Sequence, residues 1–342
     1  MKNKKILVVL GAVWMASCVL SFAADKDADS KVVESASPHS SKRMLKLDDG
    51  ELDLNRLEKE GQINLNDVYR REKSKSGKVV NTRYLRRARY FSRNKHVALI
   101  ESKIISDEAA QGYLKVYGDN GAKVLEAQAE PGVKGEYMEY EDATVLGDHH
   151  VVTIASKYVG ENLRELSVFN IGNHEVVFST GFLNGSYFVP PSEDYLLLLF
   201  QNPQSYYGTL YKYNFKDVKK ITEGERLSWN TFSNDGKSYV LTETQRLEEK
   251  ALSGRNMLQT EIMLYTDDVL RWKKMVKYET MRISFSASDK YLILQFGKNY
   301  KFNERGNVKE SELEYSIFES ASGKMVVTGR LSPENVESYK AR

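Results

Sequence analysis

The sequence predicts an all-β protein, a β-propeller of about five four-stranded blades, and three observations lead to this prediction. A turn built on Asp or Asn recurs five times, at Asn94, Asp148, Asp194, Asp235 and Asp289. The spacings of 54, 46, 41 and 54 residues fall in the range of propeller blades. Each turn precedes a strand that is apolar at nearly every position, which is typical of a strand buried on both faces.

Each repeat unit contains four short runs in which aromatic and β-branched residues alternate with polar ones, as in strands. The runs of the five units, in chain order, are 88–91, 97–100, 114–117 and 124–127; 144–145, 151–154, 166–169 and 176–178; 186–189, 195–200, 209–213 and 219–221; 229–232, 238–241, 262–265 and 272–276; 282–285, 291–296, 315–318 and 324–328. The first run of each unit is short and mixed in polarity, as expected of a strand that lines a central channel.

Two questions of architecture stay open at this level. Residues 62–82 either form a sixth blade or supply the strand that closes the ring. The alternative to a propeller is an open sandwich of similar strands.

The turn of the fourth unit carries a resemblance to a known family. Phe232-Ser233-Asn234-Asp235-Gly236-Lys237-Ser238-Tyr239-Val240 resembles the F-S-x-D-G-K signature of WD40-like propellers of the TolB type, found in exported bacterial proteins. Phe285-Ser286-Ala287-Ser288-Asp289-Lys290 is a close variant without the glycine. The resemblance covers about residues 83–330, and it implies an architecture rather than a function.

The chain divides into four predicted segments. Residues 1–23 are predicted to be a signal peptide, because Lys2, Lys4 and Lys5 precede an apolar run that ends in small residues around Ala23. Residues 24–60 are predicted to be a flexible linker with a short helix. The propeller domain is assigned to 61–331, and 332–342 to a short C-terminal helix or tail capped by Ser332.

The signal peptide predicts an exported protein, periplasmic or extracellular. Met15-Ala16-Ser17-Cys18 resembles a lipobox, so the alternative is a chain anchored to the membrane by lipidation of Cys18. The apolar residues that follow Cys18 favour cleavage after Ala23 instead. An uncleaved N-terminal anchor is a further alternative, and no later stretch is long and apolar enough to predict a transmembrane segment in the mature chain.

Composition excludes several classes of function. Three of the 50 basic residues lie in the signal, so the mature chain carries 47 basic and 47 acidic residues. This balance argues against a nucleic-acid partner. The single cysteine excludes disulfides, and the five scattered histidines predict no metal site. No G-x-S-x-G, H-E-x-x-H or G-x-G-x-x-G motif is present, and we expect no cofactor.

Candidate binding residues come from the first strands of the units, which are predicted to line the channel or its rim. They are Arg87, Arg89, Glu139, Tyr187, Trp229 and Arg282. Basic and aromatic side chains together on one strand face can hold an anionic group or a partner.

An acidic cluster suggests a second function. Glu136, Glu139, Glu141 and Asp142 lie close in sequence, and strand alternation predicts Glu139 and Glu141 on one face. Paired carboxylates across a sugar ring are the catalytic groups of glycosidases. A solvated acidic edge is the plainer interpretation of the same residues.

The sequence therefore predicts a non-catalytic exported propeller that binds a protein or another component of the cell envelope. A carbohydrate-active enzyme or glycan-binding propeller is the alternative, and a purely structural component is a third hypothesis. The long polar segments 243–259 and 297–312 are predicted to be loops that carry specificity.

Overall fold

The computed structural model describes residues 43–47, 50–74, 76–106, 109–129, 138–157, 164–250, 256–276, 280–302 and 308–342. The predictions for the signal peptide at 1–23, for Cys18 and for the linker up to residue 42 fall outside these ranges. No helix among the described residues is long and apolar enough to cross a membrane.

Five antiparallel sheets follow one another along the chain, and they confirm the predicted all-β propeller architecture. Before them come strands β1 (Met44–Leu47) and β2 (Gly50–Asp53) and helix α1 (Leu54–Glu60). Blade 1 consists of β3 (Gln62–Lys73), β4 (Val79–Phe91), β5 (His96–Ser106), β6 (Ala109–Tyr117) and β7 (Lys123–Gln128). Blade 2 consists of β8 (Met138–Leu146), β9 (His150–Lys157), β10 (Arg164–Asn170) and β11 (Val176–Phe182).

The remaining three blades repeat the four-stranded pattern. Blade 3 consists of β12 (Gly185–Phe188), β13 (Leu196–Gln201), β14 (Tyr207–Tyr213) and β15 (Val218–Glu225). Blade 4 consists of β16 (Leu227–Phe232), β17 (Ser238–Lys250), β18 (Asn256–Thr266) and β19 (Val269–Val276). Blade 5 consists of β20 (Thr280–Phe285), β21 (Tyr291–Phe302), β22 (Val308–Glu319) and β23 (Met325–Gly329), and helix α2 (Pro333–Ala341) follows.

The segment 62–82 does not form a blade of its own. It supplies β3 and the start of β4, which pair with each other and make blade 1 a five-stranded sheet in the order β3-β4-β5-β6-β7. The described residues therefore contain five blades, and the additional strand lies beside the first strand of blade 1.

The second strand of each blade is the most buried, as the sequence predicted. In β13, Leu196, Leu197, Leu198 and Leu199 are each at most 5% exposed. Leu196 and Leu198 pack in a cluster shared with blade 2, whereas Leu197 and Leu199 pack in a cluster shared with blade 4. A strand between two neighbouring sheets can therefore be apolar on both of its faces.

Apolar clusters join the blades in chain order. One cluster lies between each pair of consecutive blades from blade 1 to blade 5. Two further clusters cover the remaining face of blade 1 and the remaining face of blade 5.

The remaining face of blade 1 is covered by the β1–β2 hairpin and α1, which together are called the first cap. Leu45, Leu52 and Leu57 are almost fully buried and pack against Val97 and Leu99 of β5. The structure thus differs from the predicted linker at residues 44–47 and 50–53, which pair with each other as antiparallel strands. The reason is that these leucines, though few, all point at an apolar sheet face.

Helix α2 is the second cap. Ser332 is its N-cap, and the side chain accepts a hydrogen bond from the backbone N–H of Asn335. Tyr339 packs edge-on against Tyr291 with ring centroids 5.5 Å apart, in a cluster with Ile293 and Leu331. The helix predicted after Ser332 therefore covers the outer face of blade 5.

The segments predicted as long polar loops are partly strands. Strands β17 and β18 stay paired as far as Lys250 and Asn256, and β21 and β22 as far as Phe302 and Val308. The loop prediction was wrong for the described parts of 243–259 and 297–312. Polar residues are compatible with paired strands as well as with loops, so polarity alone does not indicate a loop.

The turns between first and second strands contact one another from blade to blade. The Asn94 amide donates to the carbonyl of Gly147 at 2.6 Å, and the Gly147 backbone N–H donates to Glu193 Oε2 at 2.7 Å. The Tyr195 hydroxyl donates to the carbonyl of Gly236 at 2.6 Å. These turns therefore share one end of the blades, here called the turn end, which also carries the connections between third and fourth strands. The opposite end is called the hairpin end.

Candidate functional site

The first strands of the blades are here called the inner strands. Those of blades 1 and 2, β4 and β8, are joined by two arginines of β4. Arg87 and Arg89 are two residues apart, so they lie on the same face of the strand. Arg87 donates to the backbone carbonyl of Tyr140 at 2.8 Å and also to that of Glu141. Arg89 forms an ion pair with Asp142 at 3.1 Å. Arg87 and Arg89, two of the three arginines predicted as binding residues, thus contact β8.

Asp142 links these arginines to blade 3. Its Oδ2 accepts a hydrogen bond from the Tyr187 hydroxyl at 2.8 Å, and the same hydroxyl lies 2.7 Å from Thr144 Oγ1. Burial, and then the Asp142 carboxylate, raise the pKa of Tyr187 well above its ordinary value, so the phenol stays protonated and able to donate. Side chains from three blades therefore meet at one carboxylate.

Glu139 and Glu141 have different partners. Glu139 is hydrogen-bonded to Ser102 of blade 1 and feels the positive charge of Arg87, whereas Glu141 pairs with Arg164 of β10 at 3.0 Å. The pairing of β8 with β9 shifts between Tyr140 and Asp142, so Glu141 is the extra residue of a bulge. The bulge interrupts the simple alternation from which a shared face was predicted. Glu136 lies outside the described residues.

The environment of Glu139 raises the pKa of its carboxyl above the ordinary value. Burial is the main cause, and the negative charge of Glu141 adds to it, while Ser102 and Arg87 oppose it. The cavity formed nearby by Arg87, Arg89, Asp142 and neighbouring small residues measures about 10 Å³. This is room for about one water molecule.

The other two predicted residues lie further along the chain of blades. Trp229 on β16 stacks on Phe188 of blade 3, with ring centroids 4.4 Å apart. Its indole N–H is buried and has no hydrogen-bond partner within the described part of the chain. Arg282 lies on β20 of blade 5 with an exposed side chain. The structure thus gathers Arg87, Arg89, Glu139 and Tyr187 around blades 1 to 3 and places Trp229 and Arg282 on blades 4 and 5.

The inner-strand group is largely satisfied by its own contacts. Arg89 and Asp142 neutralise each other, and 39% and 41% of their side chains stay exposed. The arrangement can fix the relative positions of blades 1 to 3, and it leaves part of an ion pair accessible. The roles of Asp142 and Thr144 were missed from the sequence, because they depend on which strands face each other between blades.

A second surface was also missed from the sequence. Apolar side chains at the start or near the end of the fourth strands in blades 2 to 5 are exposed, each by 40% to 55%. Those at the start lie at the turn end and form what is here called the outer rim: Val176, Val177, Val218, Val269, Leu270, Met325 and Val326. The fourth strands β11, β15, β19 and β23 are the last strands of their sheets, so one backbone edge of each faces outwards. An apolar pair directly after a turn was the only sequence signal.

The chain is similar to several solved propellers. The match to the β-propeller domain of the Trilobed protease from Pyrococcus furiosus, described as having an open velcro topology, has 10% identity, covers 68% of each chain and has a TM-score of 0.43. A dipeptidyl aminopeptidase IV from Bacteroides ovatus matches with 11% identity over 79% of this chain and 42% of that chain, at a TM-score of 0.47. TolB from Acinetobacter baumannii matches with 12% identity over 78% of this chain and 65% of that chain, at a TM-score of 0.34.

These similarities are at the level of architecture, as the turn signature implied. The chain spans less than half the length of the aminopeptidase. At such identities and scores the matches bear on neither an activity nor a partner. No protein-family model matches the chain, and no curated protein is similar to it in sequence.

Proposed function

We propose that this protein is an exported, non-catalytic β-propeller that binds a protein partner of the cell envelope through its outer rim. The observation that carries the proposal is the repetition of exposed apolar side chains at one position in four consecutive blades. Isolated exposed apolar residues are common on proteins, but a repeated set along one rim is a feature of interaction surfaces.

The backbone of the rim supports the same function. Each rim residue is the first or second residue of a strand whose outward edge can accept a further strand or loop. Apolar side chains beside such an edge add specificity. Lysines on the same strands, among them Lys219 and Lys273, form ion pairs with Asp268 and Glu261. Charges of this kind on an edge disfavour unspecific pairing, so the rim suits a selected partner.

Export is the part of the proposal that rests on the sequence of residues 1–23. A protein that leaves the cytoplasm without disulfides depends on its core for stability, and the six apolar clusters provide such a core.

Photo-crosslinking tests the partner surface directly. A photoreactive amino acid is introduced at Val269 or Met325 of the outer rim in cells that produce the full chain. Ile105, which is 42% exposed at the hairpin end, serves as the matched control. We expect one discrete adduct from both rim positions and none from Ile105. Absence of a rim adduct, or an equal adduct from Ile105, would overturn the proposal.

Glu139 favours a second candidate function, a carbohydrate-active enzyme. A half-buried carboxyl with a raised pKa is the usual form of a catalytic acid. Against it, Glu139 does not line the small cavity beside Arg89 and Asp142, which has room for about one water molecule. Activity of the purified protein on a panel of glycans, lost in Glu139→Gln, would replace the first proposal by this one.

A further inference from the structure

An open groove of about 530 Å³ lies on blade 3 at the hairpin end. It is formed by the connection from β11 to β12 and by the end of β13 with the turn that leads into β14. Its volume falls within the range of small-molecule binding sites. The groove lies at the opposite end of the blades from the outer rim, and it does not include any residue of the Arg89–Asp142–Tyr187 group.

The lining of the groove is uncharged. None of the side chains that line it is acidic or basic, although 28% of the residues in the chain are charged. A ligand with a phosphate, carboxylate or ammonium group would find no compensating charge there. The groove therefore suits a neutral ligand.

Aromatic rings form one part of the lining. Phe182 and Phe200 pack against each other with centroids 5.3 Å apart, and Phe182 is buried in the apolar cluster between blades 2 and 3, so these rings form the floor of the groove. Tyr207 borders the same groove and is 41% exposed. The apolar C–H faces of a pyranose ring pack well on aromatic faces of this kind.

Side-chain amides form the other part, and two of them, Gln201 and Asn202, are fixed by bonds to the backbone. Gln201 donates through Nε2 to the carbonyl of Leu227 at 2.7 Å. Asn202 accepts through Oδ1 from the backbone N–H groups of Gln204 at 2.9 Å and Ser205 at 3.2 Å. Asn184 lies beside Gln201, with Nδ2 at 3.4 Å from Oε1, a weak contact that a ligand can replace. Amides offer both donors and acceptors, which is what hydroxyl groups require.

We propose that this groove binds a neutral saccharide, with the exposed ring of Tyr207 against a face of the sugar and the amides on its hydroxyl groups. A peptide would also satisfy the amides. However, a saccharide of one or two rings matches a short, uncharged groove that combines flat aromatic surface with paired donors and acceptors. The site is independent of the outer rim, so either proposal can fail without the other.

Isothermal titration calorimetry of the full mature chain with cellotriose, maltotriose and fully N-acetylated chitotriose tests the proposal, and tetra-alanine with an acetylated N-terminus and an amidated C-terminus serves as the neutral peptide probe. We expect at least one trisaccharide to bind. Tyr207→Ala is expected to weaken that binding about tenfold, while Tyr207→Phe, which keeps the ring, changes it less than about threefold.

Tyr69→Ala is the matched control, because Tyr69 is 64% exposed on β3 of blade 1, away from the groove, and its loss is expected to leave binding unchanged. Circular dichroism and the thermal midpoint check that each variant is folded. Three results would overturn the proposal: no binding of any trisaccharide, saccharide binding that survives Tyr207→Ala in a folded variant, or equal Tyr207-dependent binding of tetra-alanine.

Discussion

Asp289 in blade 5 holds the turn of blade 4 through Asn234. Its Oδ1 accepts hydrogen bonds from the backbone N–H of Asn234 at 2.8 Å and from the side-chain amide at 2.7 Å. Its Oδ2 accepts from the backbone N–H of Asp235 at 3.2 Å. This turn residue, which recurs as Asp or Asn in each repeat unit, thus acts between blades as well as within its own turn, where φ of Asp289 is 59°.

Replacing Asp289 by Asn is predicted to destabilise the protein. Asn tolerates the left-handed backbone, so the change removes the charge without adding strain. Hydrogen bonds to a charged acceptor are the stronger class, and we expect the free energy of unfolding to fall by about 1–2 kcal/mol. Urea denaturation measures the change. Asp148→Asn, in the exposed turn of blade 2, should change it by less than about 0.5 kcal/mol, and an equal effect of both variants would contradict the prediction.

Gly112 on β6 marks the closest approach of blades 1 and 2. A Cβ at this position would lie 2.6 Å from Tyr140 N and 2.8 Å from Glu139 Cα, both backbone atoms that cannot rotate away. Gly112→Ala is therefore predicted to lower the free energy of unfolding by about 2–3 kcal/mol. Gly118→Ala is the control in the same blade, since its nearest neighbour is a side-chain oxygen at 3.4 Å. The prediction fails if the two alanine variants unfold at the same urea concentration.

The stability of the fold should respond to pH in opposite directions at Glu139 and Glu72. Burial raises the pKa of Glu139 above 4.5, so the folded state binds its proton more tightly than the unfolded chain. Stability therefore falls as pH rises from about 4.5 through the raised pKa. For Glu72, burial is outweighed by hydrogen bonds from Lys103 and Tyr84, which lower the pKa. The stability that Glu72 contributes is present above pH 4.5 and is lost as pH falls through the lowered pKa.

Two glutamine variants separate these effects. Relative to wild type, Glu139→Gln should become more stable as pH rises from 4.5 towards 7. Glu72→Gln should become less stable than wild type as pH rises towards 4.5, and it should remain less stable at higher pH. Chemical denaturation at a series of pH values gives both profiles. Parallel profiles for the two variants would show that the carboxyl environments are not as described.

Val336 tests the contribution of α2. It is 3% exposed, and an aspartate in its place would be a buried charge without a partner. Val336→Asp should lower the free energy of unfolding by about 3 kcal/mol or more. Val326→Asp makes the same change at a residue of β23 in the same blade that is 41% exposed, and it should be tolerated. Thermal unfolding compares the two, and similar midpoints would mean that α2 is not required.

The repeat was predictable because its signals are local. The apolar run at Leu196–Leu199 and the turn at Asp235 can each be recognised from a few neighbouring residues. In the structure, the Asp235 side chain accepts a hydrogen bond from the backbone N–H of Lys237 at 3.0 Å. Strand β3 was not predictable in this way. Asn64, Asn66 and Asp67 have low strand propensity. Asn64 pairs with Arg87 of β4, and Asn66 and Asp67 lie at a register shift between the paired residues Leu65 and Val68, so the strand depends on β4 on both sides of this shift.

The candidate site was predictable only in part. Arg89 and Tyr187 were placed on inner strands by periodicity, but Asp142, which joins them, is 53 and 45 residues away in sequence. Which side chains meet between blades depends on how neighbouring sheets are shifted, and the bulge at Glu141 changes the alternation further. The outer rim was missed for a related reason, since periodicity does not tell which strand has no outer neighbour.

The two caps have a consequence for how the molecule ends. Every blade buries an apolar face against the next, so the first and the last blade each keep one apolar face that no consecutive blade covers. A bare final blade would accept the first blade of another molecule, and such head-to-tail contacts do not close but continue into fibres. Leu57 of α1 and Tyr339 of α2 occupy those two faces instead. By covering these faces, the two caps disfavour head-to-tail association of one molecule with the next, as terminal capping repeats do in other repeat proteins.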